Sequence, residues 1–151
     1  MSLGKEKPIL LVEDNPKDAK LAIIGFQQNN LHNEVIHAKN GAEALDYLFG
    51  TGMHEGRDTR VQPQIVLLDL KLPKIDGLEV LRRIRADART KLLPVIILTS
   101  SKEERDLIEG YSLGANAYVR KPVDFTEFGH AVKQLGIFWL LLNEQPPVVS
   151  A

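Results

Sequence analysis

The chain has 151 residues, 19 basic and 20 acidic, for a formal net charge of −1, and 44% of them are hydrophobic. That length suits one domain with one sizeable core, in the balance of an ordinary globular protein. The absence of cysteine excludes disulfides, thiolate metal sites and a cysteine nucleophile and fits a cytoplasmic setting, and without a basic excess or an apolar run of ~18–20 residues there is no case for nucleic-acid binding or a membrane span.

Residues 1–7 lack the apolar stretch of a signal peptide and read as an N-terminal extension, or in part a cloning remnant. Ile9-Leu10-Leu11-Val12 is a continuous apolar run ending in Glu13 and Asp14, as expected of a strand buried on both faces. Asn15-Pro16 then turns the chain into a helix, with proline suited to the first turn and Leu21, Ile24 and Phe26 recurring at helical spacing. Val35–Ala38 is a weaker strand, and Ala42, Ala44, Leu45, Leu48 and Phe49 mark a second helix. Residues Gly50–Pro63, with three glycines, read as a long loop. Ile65–Leu68 is a third strand ending on Asp69, and Leu78, Val80, Leu81 and Ile84 mark a third helix. Val95–Leu98 is a fourth strand ending on Thr99, followed by a charged helix over about 102–113. Residues 116–119 form a fifth strand ending at Arg120-Lys121-Pro122, and a last helix is expected over 124–142, with a tail over 143–151. Five strands alternating with five helices predict an α/β domain, a doubly wound parallel sheet covered on both faces.

In such sheets the site lies at the carboxyl ends of the strands. Those ends carry Glu13 and Asp14, then Asp69, Thr99 and Lys121, so three acids, a hydroxyl and an amine are expected to meet. Three close carboxylates repel unless a cation intervenes. Mg²⁺, an oxygen-seeking octahedral ion that keeps several waters, is the natural one. Lys121 and Thr99 would then face a phosphoryl group while a carboxylate oxygen of Asp69 attacks it.

The stretches 9–15, 67–77, 94–100 and 114–122, with Glu13-Asp14-Asn15, Asp69, Thr99-Ser100 and Arg120-Lys121-Pro122 at their ends, resemble the receiver domains of bacterial response regulators. The likeness covers residues 8–142. It implies the flavodoxin-like strand order 2-1-3-4-5 and a phosphoacceptor role for Asp69. It also implies metal ligation by Glu13 (through water), Asp14, Asp69 and the backbone carbonyl of Lys71, a switch role for Thr99 and Tyr118, and phosphate pairing by Lys121, aimed inward by a cis bond to Pro122. It implies a two-component signalling domain, not a turnover enzyme, whose partner is a histidine kinase or phosphotransfer protein. The long Gly50–Pro63 loop, the Glu-Asp-Asn start and the apolar last helix resemble single-domain regulators that partner phytochrome-type kinases.

Simpler readings exist for single residues. Asp14 alone could cap the first helix, and Asp76-Gly77 reads as helix entry and not as a metal site. His32, His37, His54 and His130 show no ligand spacing, and residues 102–106 read as a solvated face that can also meet partners. In the last helix Phe125, Phe128, Val132, Leu135 and Trp139 share a core stripe, while Ile137, Phe138, Leu140 and Leu141 point elsewhere, which predicts a homodimer through that end. A metal-dependent phosphatase with an Asp nucleophile is a competing reading, but the position two residues past Asp69, where such enzymes commonly carry a second acid, holds Lys71. An interaction module that has lost phosphorylation is another, and all the key residues are present.

Overall fold

The structure is a computed structural model, and it describes residues 7–28 and 32–147. In chain order the elements are β1 (Ile9–Val12), α1 (Pro16–Gln27), β2 (Val35–Ala38), α2 (Gly41–Phe49), β3 (Ile65–Leu68), α3 (Gly77–Ala86), β4 (Val95–Thr99), α4 (Glu104–Ser112), β5 (Ala117–Arg120) and α5 (Phe125–Gly136). All five strands are parallel, in the order β2-β1-β3-β4-β5. This is the doubly wound sheet expected from the sequence.

Every residue of β1, β3 and β4 is buried, because strand alternation feeds two cores at once. Leu10, Val12, Val66, Leu68, Val95 and Ile97 face α2 and α3, with Leu48, Val80, Leu81 and Ile84 filling that side. Ile9, Leu11, Ile65, Leu67, Ile96 and Leu98 face α1 and α5, against Phe26, Phe128 and Val132. At Gly25 the two outer helices come so close that a Cβ would stand 2.8 Å from Val132 Cγ1.

Helix starts follow local chemistry. Asn15 caps α1 by accepting from the amides of Lys17 and Asp18, Asn40 caps α2, Asp124 caps α5, and Asp76 caps α3 by accepting from Glu79 N at 3.0 Å. Asp14 therefore caps nothing, and Asp76 has the helix-entry role expected of it. Gly77 follows because a Cβ there would lie 2.3 Å from the carbonyl oxygen of Asp69, so the start of α3 is pressed against the end of β3.

Several details differ from the sequence reading. The Gly50–Pro63 loop contains a short 3-10 turn, Gly52–His54, and is organised by Arg57. That guanidinium sits 4.0 Å over the Tyr47 ring and donates to the carbonyls of Tyr47 and Val61. The last helix is not one α-helix over 124–142. α5 ends at Gly136 and continues as a π-helical segment, Ile137–Leu142, closed by a bond from Asn143 N to Phe138 O. The wider turn changes which side chains face inward. Phe125 leaves the expected core stripe, since it is the first residue of α5 and lies exposed under the Lys17 ammonium. Ile24 is also partly exposed, because α1 buries Ala19, Ala22 and Phe26 instead. The 102–106 run is not wholly solvated: Asp106 turns inward to Ser101.

Candidate functional site

Each functional side chain stands where a strand runs out. β1 ends at Val12, so Glu13 and Asp14 follow at the carboxyl edge of the sheet. Glu13 is almost fully buried, its Oε2 accepting from Asn15 N at 3.1 Å, while Asp14 is exposed. β3 delivers Asp69, also buried, and Lys71 N donates to its Oδ1 at 3.3 Å. Oxygens of Glu13, Asp14 and Asp69 lie within 4.8 Å of one another. The convergence of three acids expected from the sequence is thus present.

The amine is present as well. The Lys121 ammonium lies 2.6 Å from Glu13 Oε1, 2.9 Å from Asp69 Oδ2 and 2.9 Å from Asp18 Oδ2. The backbone locates it: Lys121 N donates to Thr99 O at 2.7 Å, which extends the β4–β5 pairing by one residue. No peptide bond among the described residues is cis, so the expected cis Lys121–Pro122 bond is corrected to trans. The lysine points inward through the ladder bond and its three carboxylates.

Burial sets the electrostatics. The carboxyl of Glu13 is pushed up to about 7, first by desolvation and then by the nearby Asp69 charge, against the lowering pull of Lys121. Burial alone would lower the Lys121 amine, but its bonds to Glu13, Asp69 and Asp18 outweigh that and hold it above the ordinary lysine range.

Thr99 is fully buried, and its hydroxyl accepts from Ser101 N at 3.3 Å. Tyr118, one strand over on β5, buries its hydroxyl beside Ser101 without a hydrogen bond of good geometry. Ser101 Oγ donates to Asp106 Oδ2 at 2.6 Å, and Asp106 meets the Lys71 ammonium at 3.5 Å. This chain of contacts ties the β3 and β4 ends to α4. The bond to Ser101 lowers the Asp106 carboxyl below its ordinary value.

Four participants escaped the sequence reading: Asp18, Ser101, Asp106 and His37. His37 Nε2 lies 2.7 Å from the backbone oxygen of Glu13, so the second strand also sends a polar group towards the site. The signal for Asp18 was its place in the first turn after Asn15-Pro16, which reads equally well as an acid at a helix N-terminus.

An open parallel α/β domain with a buried lysine among acids at the carboxyl edge, beside its β1/β3 switch point, has its candidate site where doubly wound folds bind their ligands. The model for the response regulator receiver domain matches residues 9–133. The chain belongs to that family, the receiver domains of two-component signalling. It is 40% identical over 138 residues to the probable methanogenesis regulatory protein FilR2 of Methanothrix harundinacea, covering 91% of this chain and 86% of that one. It is 36% identical to response regulator Rcp1 of Synechocystis, covering 89% of each chain. Among solved structures, the phosphorylated cyanobacterial phytochrome response regulator RcpA aligns with a TM-score of 0.88 at 35% identity, covering 94% of this chain and 99% of that one. The bacteriophytochrome response regulator AtBRR aligns at 0.72 with 51% identity, covering 93% and 99%. Rcp1 has been solved in a Mn²⁺-bound form, which aligns at 0.87 with 35% identity, covering 93% and 99%. No helix of the described residues is long and apolar enough to cross a membrane.

Proposed function

We propose that residues 8–142 form a phosphoryl-accepting switch in which Asp69 is the acceptor and Mg²⁺ the required cation. The observation that carries this reading is the Lys121 ammonium 2.9 Å from Asp69 Oδ2, beside three acids whose oxygens converge within 4.8 Å. An oxygen of Asp69 attacks phosphorus and forms an O–P bond. The N–P bond of a donor phosphohistidine breaks, and its electron pair stays on the imidazole. Lys121 neutralises phosphoryl oxygens, and Thr99 offers its hydroxyl to them. Glu13, Asp14, Asp69 and the backbone carbonyl of Lys71 would hold Mg²⁺, which when bound supplies positive charge against both the acids and the phosphoryl group. Movement of Thr99 and Tyr118 then reports the event through the Ser101–Asp106–Lys71 contacts to the α4 surface, for a partner protein in the cytoplasm to read.

The donor we infer is a histidine kinase of the phytochrome type, or a phosphotransfer protein. The likeness to the phytochrome response regulator RcpA and the bacteriophytochrome response regulator AtBRR supports it. Mixing the chain with such a kinase, autophosphorylated and freed of nucleotide, should move the label onto the chain, and EDTA should stop it. Label that stays on every kinase offered would contradict the donor assignment.

The raised Glu13 carboxyl links cation binding to pH. A group held at about 7 instead of 4.5 keeps its proton in the folded state across that window. Its stabilising contribution is complete below about 4.5 and is lost as pH rises through about 7. Mg²⁺ needs the ionised form, so binding releases a proton below neutrality. The Mg²⁺ Kd should therefore weaken roughly tenfold from pH 8 to pH 6. Calorimetric titrations in buffers of different ionisation enthalpy read both the affinity and the proton count. A pH-independent Kd would contradict this.

The exposed Phe138, Leu141 and Leu142 on the π-helical segment support a homodimer through this end. Light scattering at micromolar concentration should give twice the chain mass, and Leu141→Glu/Leu142→Glu should give the monomer.

A further inference from the structure

We infer that Asp18 is a positioning residue for Lys121, the carboxylate that keeps the ammonium aimed at the acceptor when its other two partners are drawn away. The inference rests on the phosphoryl-accepting reading above.

Three carboxylates share the Lys121 ammonium, and they are not equivalent. Glu13 and Asp69 belong to the convergent acidic cluster, and Asp18 does not. A divalent cation competes for Glu13. A phosphoryl group consumes one oxygen of Asp69 and offers its own. Asp18 alone has no second claim on it.

Both ends of the Asp18–Lys121 contact are also fixed by backbone. Asp18 N donates to the capping Asn15 side chain at 3.1 Å, and Ala19 N donates to Asn15 O, so the first turn of α1 is locked. Lys121 N is pinned to Thr99 O at 2.7 Å. The contact thus clamps the start of α1 to the end of β5 across the mouth of the site. With 8% of the lysine side chain and 25% of the Asp18 side chain exposed, the pair is screened less than a surface ion pair.

An acid placed in a first turn only to suit the helix dipole would stabilise α1 and leave Lys121 chemistry untouched. The two roles separate in experiment. In Mg²⁺-saturated, unphosphorylated protein, where the cation competes for Glu13 and Asp69, the ¹⁵N-labelled ε-ammonium of Lys121 should give a resolved, slowly exchanging signal. Asp18→Asn should broaden it, and Asp18→Glu should restore it. With saturating Mg²⁺ and acetyl phosphate, Asp18→Asn should slow phosphoryl incorporation roughly fivefold through misplacement of the amine, with Mg²⁺ affinity kept within about twofold. Asp18→Glu should recover most of that rate. In a Lys121→Ala background Asp18→Asn should change nothing further, because its effect passes through the lysine.

An Asp18→Asn protein with a sharp ammonium signal and the parent rate would overturn the inference. So would a further slowing of Lys121→Ala by Asp18→Asn. A parent chain that takes no phosphoryl group would instead defeat the phosphoryl-accepting reading, and the ammonium signal with Mg²⁺ would still decide whether Asp18 holds Lys121.

Discussion

Asp69→Asn is expected to take up no phosphoryl group from acetyl phosphate and Mg²⁺, a loss of at least ~10³-fold in rate. The amide occupies the same space but offers no anionic oxygen to attack phosphorus. No neighbour can substitute. Glu13 holds its proton up to about pH 7 and is committed to Lys121 and the Asn15 amide. Asp14 is exposed at the rim, and Asp18 faces the lysine from α1. The fold should survive, because Lys121 keeps two of its three carboxylates. Intact mass reads the uptake, and far-ultraviolet circular dichroism reads the fold. The same substitution separates the switch from a phosphatase. An enzyme of that kind would hydrolyse donor continuously, whereas this site carries Lys71, not an acid, two residues after Asp69, so the parent should stop at one phosphoryl group per chain.

Lys121→Ala should destabilise the metal-free protein by about 2–4 kcal/mol at pH 8, since removing one partner leaves buried charges without compensation. Glu13 and Asp69 are nearly inaccessible to water, so neither can be resolvated in place. The figure is kept below the full cost of a broken buried network because Asp18 is part-exposed. The amine is held above its ordinary value, so its contribution is complete at neutral pH and disappears only in strongly alkaline solution. The loss should shrink at pH 6, where Glu13 takes up a proton and the remaining repulsion falls. Added Mg²⁺ should restore most of it, because a cation then replaces the ammonium. Urea unfolding at both pH values, with and without Mg²⁺, gives all four stabilities. A variant as stable as the parent at pH 8 without metal would contradict the picture of one amine neutralising this pocket.

Much of this was legible in the sequence because two physical rules are strong. A strand buried on both faces must be apolar throughout, so Ile9–Val12, Ile65–Leu68 and Val95–Leu98 stand out from the polar chain around them. An acid directly after such a strand is conspicuous, since burying it needs a partner, and Glu13 and Asp69 find theirs in Lys121, at the end of the half-buried β5. What was not legible depended on which way a polar side chain turns. Asp18 reads as a helix-start acid, and only the packing of α1 against α5 brings it to Lys121. Asp106 lies in a run of five charged residues, and its inward turn follows from Ser101 waiting at the end of β4. His37 sits in a strand with half-buried residues, and its contact with the Glu13 carbonyl needs the β1–β2 register, which pairs it with Leu11. The π-helical close of α5 has no composition signal, since Ile137–Leu142 is as apolar as a regular buried helix end. The loop after α2 hid its organiser for a similar reason: Arg57 is one cation among many until its carbonyl acceptors and the Tyr47 ring surround it.

The most direct measurement is to locate the acid-labile phosphoryl group. The chain is treated with acetyl phosphate and Mg²⁺, then reduced with borohydride, which converts an aspartyl phosphate to homoserine. Peptide mass mapping should find homoserine at residue 69 and at no other position, with none formed when EDTA is present. Homoserine at a different aspartate, or an unmodified residue 69 in a chain that has gained a phosphoryl group, would contradict the assignment of Asp69 as the acceptor.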